Sequence, residues 1–239
     1  MVKILSTIIK RLIIIVDILF HRKKITKVLR KLKILKIKTI FDIGSNNCEY
    51  SLLFNKVFPK SKIFAFEPNP YLYKEAILKI KKNNKIKVIK KAVGNKNMTT
   101  SIKIDRDSPL TSTFAKINQK SNTYKIKKFL GQKKKPNKVN AKMIKLDKFI
   151  NKKNKPDFIK IDVEGYEEEV LKGMRKNLKK TKLIMIEFHF DNQYKNYSTS
   201  RLHKYLITNK FKLFKSIKFP ILNWEDRIYL NSNLSNFNH

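Results

Sequence analysis

Asp42, Glu67, Asp162 and Glu187 each stand where a short apolar run breaks off, the place where a buried strand hands over to a loop. Asp162 and Glu164 bracket the tip of the run Phe158–Val163, with Gly165 behind them. An Asp-x-Glu at a strand tip can orient a substrate hydroxyl, take its proton, or hold a divalent cation through oxygen ligands. The plainer reading is that Glu164 caps the helix that follows. Glu187 and His189 end the run Lys182–Phe190, and their spacing of two puts them on one face of a strand. There the imidazole is either a structural hydrogen-bonder or a proton acceptor beside a carboxylate.

The stretch Thr39–Ser51, TIFDIGSNNCEYS, has a different character. A run of β-branched and aromatic residues ends in Asp42, Gly44 to Asn47 supply turn chemistry, and Tyr50–Phe58 resumes at helical spacing. A strand, a small-residue turn and a helix N-terminus aim backbone N–H groups at the polar end of a ligand. Glu67 ends the next strand, the position that takes ribose hydroxyls in a βαβ unit. A dinucleotide fingerprint needs three glycines and only Gly44 is present; the Walker pattern is absent as well. An Asp, one turn glycine and a ribose acid fit S-adenosylmethionine, which has no pyrophosphate to cradle. Its amino group wants an acid and its carboxylate wants backbone donors.

The elements that must hold these groups alternate. Strands are predicted at Thr39–Ile43, Lys62–Phe66, Ile86–Val93, Phe158–Val163, Lys182–Phe190, Phe211–Ile217 and Trp224–Leu230, with further candidates at Ser101–Asp105 and Val139–Leu146. Helices are predicted from Pro70 to Lys81, over Tyr166–Leu171 and over Ser198–Asn209, and Asp147 can cap a short one through Asn151. Adenine in this architecture sits over the end of the third strand, near Lys91–Gly94. Asp107–Lys138 is too polar and too long for an ordinary connection and reads as a lid or binding loop, with Lys133–Lys135 a solvated charge run. There is no internal repeat, no zinc spacing and no G-x-S-x-G motif.

Composition bounds the partners. The formal net charge of +38 would draw nucleic acid or an anionic membrane, but the excess is mostly Lys spread over every segment of a chain also rich in Ile and Asn. A composition bias toward A/T-rich codons explains much of it. Lone Cys48 rules out an internal disulfide, in keeping with a reducing compartment and an expected cytoplasmic location. Residues 1–37 form a separate N-terminal segment ahead of a domain over 38–239. Leu5, Ile8, Ile9, Leu12, Ile15, Val16 and Leu19 make one helical stripe, broken by Lys10, Arg11 and Asp17 and too short to span a bilayer. The pair of helices either caps one edge of the sheet or rests on anionic membrane as a peripheral contact.

The blocks FDIGSNNCEYS, FAFEPNP, KAVGN, IKLDKFI, FIKIDVEGYEEEVLKG and IMIEFH follow the order found in FkbM-type S-adenosylmethionine-dependent methyltransferases, which the chain resembles over roughly residues 39–190. The resemblance implies an α/β fold: a Rossmann-like, mostly parallel sheet of seven strands, helices on both faces, the last strand antiparallel, with the N-terminal helices added. It also implies methyl transfer, usually to an oxygen of a sugar, glycolipid or natural-product-like acceptor. By the family pattern Asp42, Gly44, Ser45 and Asn46 would hold the methionine half and Glu67 the ribose. Ala92 and Val93 would lie by the adenine, and Asp162 and Glu164 would border the transfer cleft. His189 or Asp162 is the expected base, with Glu164 and Glu187 orienting the acceptor; no metal is expected. The family pattern D-x-G-A-N-x-G-x-Y-S has a second glycine where this chain has Cys48. If that position needs positive φ, Cys48 is strained by about 1 kcal/mol. If it needs close ligand approach, the thiol crowds the pocket. Two alternatives stand beside this reading. A nucleic-acid methyltransferase would explain the charge, but the Asn-Pro-Pro-aromatic signature and interleaved stacking aromatics are missing. A catalytically lapsed, membrane-associated binding module would explain Cys48 and the N-terminal helix.

Overall fold

A computed structural model describes residues 2–104, 112–129 and 137–234. The chain opens with α1 (Val2–Val16), a π turn (Asp17–His21), α2 (Arg22–Lys31) and a 3-10 turn (Leu32–Leu35). There follow β1 (Thr39–Ile43), α3 (Glu49–Val57), β2 (Lys62–Phe66), α4 (Pro70–Lys79), β3 (Ile86–Ile89), β4 (Ala92–Val93) and β5 (Met98–Ile104). Next come α5 (Asn122–Phe129), β6 (Asn137–Ile144), α6 (Leu146–Phe149), β7 (Phe158–Ile161), α7 (Glu167–Gly173) and α8 (Arg175–Leu178). The chain ends in β8 (Leu183–His189), α9 (Thr199–Thr208), β9 (Phe211–Lys218) and β10 (Trp224–Asn231).

Seven strands form one sheet in the order β3-β2-β1-β7-β8-β10-β9. All neighbouring pairs from β3 to β8 are parallel, and β10 runs antiparallel to both β8 and β9. This is the expected Rossmann-like sheet with its last strand reversed. The chain leaves β1 toward β2 and β3, then returns to add β7 on the other side of β1. Strand order therefore reverses between β1 and β7, and a crevice opens at their carboxyl ends.

Period-two alternation divides the apolar side chains between two cores. Ile40, Phe158, Leu183 and Met185 pack with Ile25, Leu29 and Leu32 of the N-terminal helices and with Phe54 of α3. Phe41, Ile159, Ile161, Ile184 and Ile186 pack on the other face with Val170 and Leu171 of α7 and Leu202 of α9. Helices thus cover both faces. α2 lies over the face of the sheet, with its apolar stripe in the same core as β1 and β7.

Several local expectations are corrected. Val93 does not close the third strand: Ala92–Val93 leaves the main sheet and joins a second sheet of order β4-β6-β5, built from the Ser101–Asp105 and Val139–Leu146 candidates, though Asp105 lies outside the described residues. β7 stops at Ile161, because Asp162 begins the turn that lines the crevice. The supposed loop 107–138 contains α5, started where Ser121 Oγ accepts a hydrogen bond from Tyr124 N (3.2 Å). Lys133–Lys135 lies outside the described residues. Asp147 does not cap its own helix; its carboxylate accepts from Lys176 N (3.0 Å) and Asn177 N (3.1 Å) at the start of α8. The helices at Pro70 and Thr199 start close to where they are predicted, capped by the side chains of Asn69, which accepts from Tyr71 N, and Ser198, which accepts from Arg201 N.

Candidate active site

At the carboxyl ends of β1, β2, β7 and β8 lies a cavity of about 580 Å³, within the range of small-molecule sites. Ile43, Gly44, Ser45 and Asn46 form one wall, Phe66 and Glu67 the next, and Ala92 and Val93 the floor beyond. Lys160, Asp162 and Glu164 face them from β7, and Glu187 and His189 from β8. Of the candidate catalytic and cofactor-binding residues, only Asp42 does not line the cavity. It is completely buried one layer behind, where Ser51 Oγ donates to its Oδ2 (2.5 Å) and Lys160 Nζ stands 3.9 Å from its Oδ1.

The turn after β1 is tightly determined. Gly44 has φ +77°, and a Cβ there would lie 1.7 Å from the Asp162 carbonyl oxygen, so only glycine lets the β1 and β7 turns approach. Gly44 N and Ser45 N both donate to the Phe66 carbonyl at 3.0 Å, tying this turn to the end of β2. Asn46 (φ +51°) and Cys48 (φ +64°) are left-handed as well. The Cys48 alternative is thereby resolved: the position demands positive φ, so strain applies. The side chain is fully buried in the core under α3 and does not line the cavity, so the thiol does not crowd the pocket.

Glu67 is almost fully buried. Its Oε2 accepts from Asn46 N (2.9 Å) and its Oε1 from Asn69 N (2.8 Å). Burial pushes its pKa up to about 7, despite those two N–H groups. A carboxylate oxygen can accept a second hydrogen bond, and Glu67 lines the cavity.

On the opposite wall, the sheet face that is apolar in the core turns charged at its carboxyl end. Lys160 pairs with Asp42 in the β1–β7 register, and Asp226 of β10 stands opposite Glu187. Lys160 Nζ lies 2.8 Å from Asp162 Oδ2 and 4.6 Å from the centre of the Tyr50 ring. Burial would discharge this ammonium, but Asp162 and Asp42 outweigh it and keep it protonated. The Lys160 charge in turn offsets burial at Asp162 and holds that carboxyl below its usual range. Glu187 shifts the other way: burial, with the charges of Asp162 and Glu164, raises it well above the usual carboxylate range.

His189 Nε2 has no hydrogen-bond partner, and it stands 3.1 Å from Glu187 Oε2. Its ring is held edge-on between Tyr194 (5.0 Å) and Tyr197 (5.6 Å). Tyr194 also donates a hydrogen bond to Glu164, which is left-handed at φ +56°. The next residue, Gly165, leaves room for the Tyr194 ring, which a Cβ would meet at 2.3 Å. The helix cap expected of Glu164 is not made: α7 follows Tyr166 with no side-chain cap, and Glu167 Oε1 instead braces the preceding turn by accepting from Val163 N and Gly165 N, both at 3.1 Å.

Four further residues frame the site, and three of them carry little sequence signal. Tyr194 lies in a loop, and His21 and Arg22 come from the N-terminal segment. His21 Nε2 meets Asp226 Oδ2 at 2.8 Å, and Arg22 bridges Asp17 and Glu49. Lys160 is the exception: one charge inside an otherwise apolar strand is a legible anomaly. Among the described residues no group of His, Cys, Asp and Glu is arranged to hold a metal ion.

The Methyltransferase FkbM domain profile matches residues 42–214, which is most of the chain. The chain belongs to the FkbM methyltransferase family. Two solved structures share its fold. Methyltransferase FkbM from Methylobacillus flagellatus KT aligns with TM-score 0.55 and 15% identity, over 81% of this chain and 43% of that one. A SAM-dependent methyltransferase from Aquifex aeolicus aligns with TM-score 0.50 and 15% identity, over 95% and 98% of the two chains. This chain thus spans less than half the length of the Methylobacillus protein. No curated protein matches it. S-adenosylmethionine is the cofactor of this methyltransferase class, and the cavity fits it: an acid at Glu67, a glycine turn at Gly44, and Ala92 and Val93 among the lining residues.

Proposed function

We propose that the protein transfers a methyl group to a hydroxyl oxygen of a sugar, glycolipid or natural-product-like acceptor. The observation that carries the reading is the meeting of Glu67 with Asp162, Glu164 and His189 on facing walls of one cavity at the sheet's switch point. The sulfonium cofactor supplies an electrophilic methyl group. On the other side an acceptor hydroxyl must be aligned and relieved of its proton.

His189 is the group for that proton, since it lines the cavity beside the carboxylates of Glu187 (3.1 Å) and Glu167 (4.0 Å) and two tyrosine rings fix the imidazole's orientation. Asp162, kept ionised by Lys160, accepts a second hydrogen bond from the acceptor, and Glu164, braced by Tyr194, aligns it. Glu187, which burial and the charges of Asp162 and Glu164 raise well above the usual carboxylate range, stands beside His189 and orients the acceptor. Residues 1–37 reach this site as well, since Ile13, Ile14, Asp17 and Arg22 line its outer rim; a peripheral contact with anionic membrane there fits a glycolipid acceptor. Among the described residues no helix is long and apolar enough to cross a membrane.

The test pairs binding with turnover. Calorimetric titration with S-adenosylhomocysteine should give binding that is lost in Glu67→Ala. Screening free and lipid-linked oligosaccharides should then give a methyl ether whose formation falls about a hundredfold or more in His189→Ala, with cofactor affinity unchanged. Wild-type turnover in His189→Ala would remove that residue from the role.

A further inference from the structure

The N-terminal segment has two sides, and the cavity uses only one of them. Ile13, Ile14 and Asp17 line the cavity rim, with Ile14 also about half exposed. Ile8, Leu12, Ile15, Ile18, Leu19 and Phe20 face outward, each about half exposed. Within residues 8–20 these six side chains offer an apolar surface, interrupted by the exposed Arg11 and uncovered among the described residues, the kind of patch that marks an interaction site. The segment is anchored by its C-terminal end. His21 is fully buried against Asp226, and Arg22 is paired with Asp17 and Glu49.

Charge identifies what covers the patch. Residues 2–41 contain twelve Lys and Arg and one acid, Asp17, which is already paired. Lys23, Lys24, Lys27 and Arg30 are exposed on α2 immediately beyond the apolar surface. An apolar strip flanked by cations, too short to span, is the pattern of a helix lying in a lipid interface. A second copy of the chain is disfavoured, because each copy would bring the same cations and a formal charge of +38 to the contact.

We propose that residues 8–20 dock on an anionic lipid bilayer and that the acceptor is an amphiphile drawn from it. Its hydroxyl-bearing head passes beneath Ile13, Ile14 and Asp17 into the cavity while its chain stays in the lipid. This rests on the methyl-transfer reading for what happens in the cavity; the docking itself does not. Asp17 Oδ1 is buried at the rim with no hydrogen-bond partner and is placed to accept from a head-group hydroxyl.

The experiment is flotation of the full chain with phosphatidylcholine vesicles, with and without phosphatidylglycerol. Alongside the wild type runs the combined variant Ile15→Ser, Leu19→Ser, Phe20→Ser, whose side chains are exposed and outside the cavity. Partition onto anionic vesicles should exceed that onto neutral ones by about tenfold or more, and the variant should lose a similar factor. Trp224, the only tryptophan, lines the cavity and sits edge-on to His21 at 4.8 Å, so its emission should move when wild type meets anionic vesicles. Equal partition onto both vesicle types, or a variant that floats like wild type, would overturn the docking. Flotation with Trp224 unmoved would overturn the route into the cavity. A wild-type dimer that the variant dissolves, with no flotation, would make the patch a self-contact. Homocysteine-cofactor titration of both proteins separates the readings: flotation without cofactor binding sinks methyl transfer and leaves the docking standing.

Discussion

Lys160 places its ammonium 2.8 Å from Asp162 and 3.9 Å from Asp42, so one buried cation serves a carboxylate in the cavity wall and another behind it. Lys160 and Asp42 are both almost completely shielded from solvent. Removing the cation leaves Asp42 in the core with Ser51 as its only close polar support. Lys160→Met is therefore expected to lower stability by about 3–5 kcal/mol. Urea unfolding measures this, and Asp42→Asn in the same chain should recover a large part of the loss. An additive double variant would show that the pair is not coupled.

Glu67 links cofactor binding to pH. Its pKa in the folded protein, about 7, lies above its ordinary value of 4.5 because it is buried. If ribose hydroxyls donate to the carboxylate, the protonated form binds poorly. Affinity for S-adenosylhomocysteine should then rise about tenfold per pH unit below 7 and level off above it. In the free protein the same shift runs against stability. The folded state holds the proton more tightly than the unfolded chain, so this contribution is present below pH 4.5 and lost as pH rises through about 7. Glu67→Gln should flatten the pH dependence of binding and weaken binding on its high-pH side.

Cys48 offers a test of strain against crowding. Cys48→Gly releases a left-handed residue at φ +64° but removes a buried thiol from the core, so stability should change by about 1 kcal/mol or less. Cofactor affinity should stay within about twofold, because the side chain lies outside the cavity. Burial also pushes the thiol up to about 12, so alkylation of the native protein at mildly alkaline pH should be slow and that of the unfolded chain fast. A large affinity gain in Cys48→Gly would mean that the thiol does reach the ligand.

Gly44 admits no side chain. Gly44→Ala forces a Cβ to 1.7 Å from the Asp162 carbonyl at a positive φ, and the β1 and β7 turns must separate. A loss of about 3 kcal/mol or more is expected from thermal or urea unfolding, together with loss of cofactor binding. Retained stability would show that the two turns can move apart freely.

Much of this protein is written locally. The apolar runs Phe158–Val163 and Lys182–Phe190, the Pro70 and Ser198 helix starts, and acids at strand tips depend on neighbours a few residues away, so the strands and most of the cavity wall can be read from the chain alone. The second sheet could not be, because Ala92–Val93 finds its partner about fifty residues later, in Met143 and Ile144. Asp42 looks like a ligand in sequence and lies behind the wall in space; only the register with Lys160 decides that. Position 48 shows its missing glycine in sequence, but whether its side chain points at ligand or core is set by how α3 packs. His21 and Asp226 are 205 positions apart, and their contact exists only because the N-terminal segment folds back over β10. Residue types and local periodicity determine what each group can do; long-range packing decides which groups meet, because only the closed sheet brings its strand tips and the N-terminal segment around one cavity.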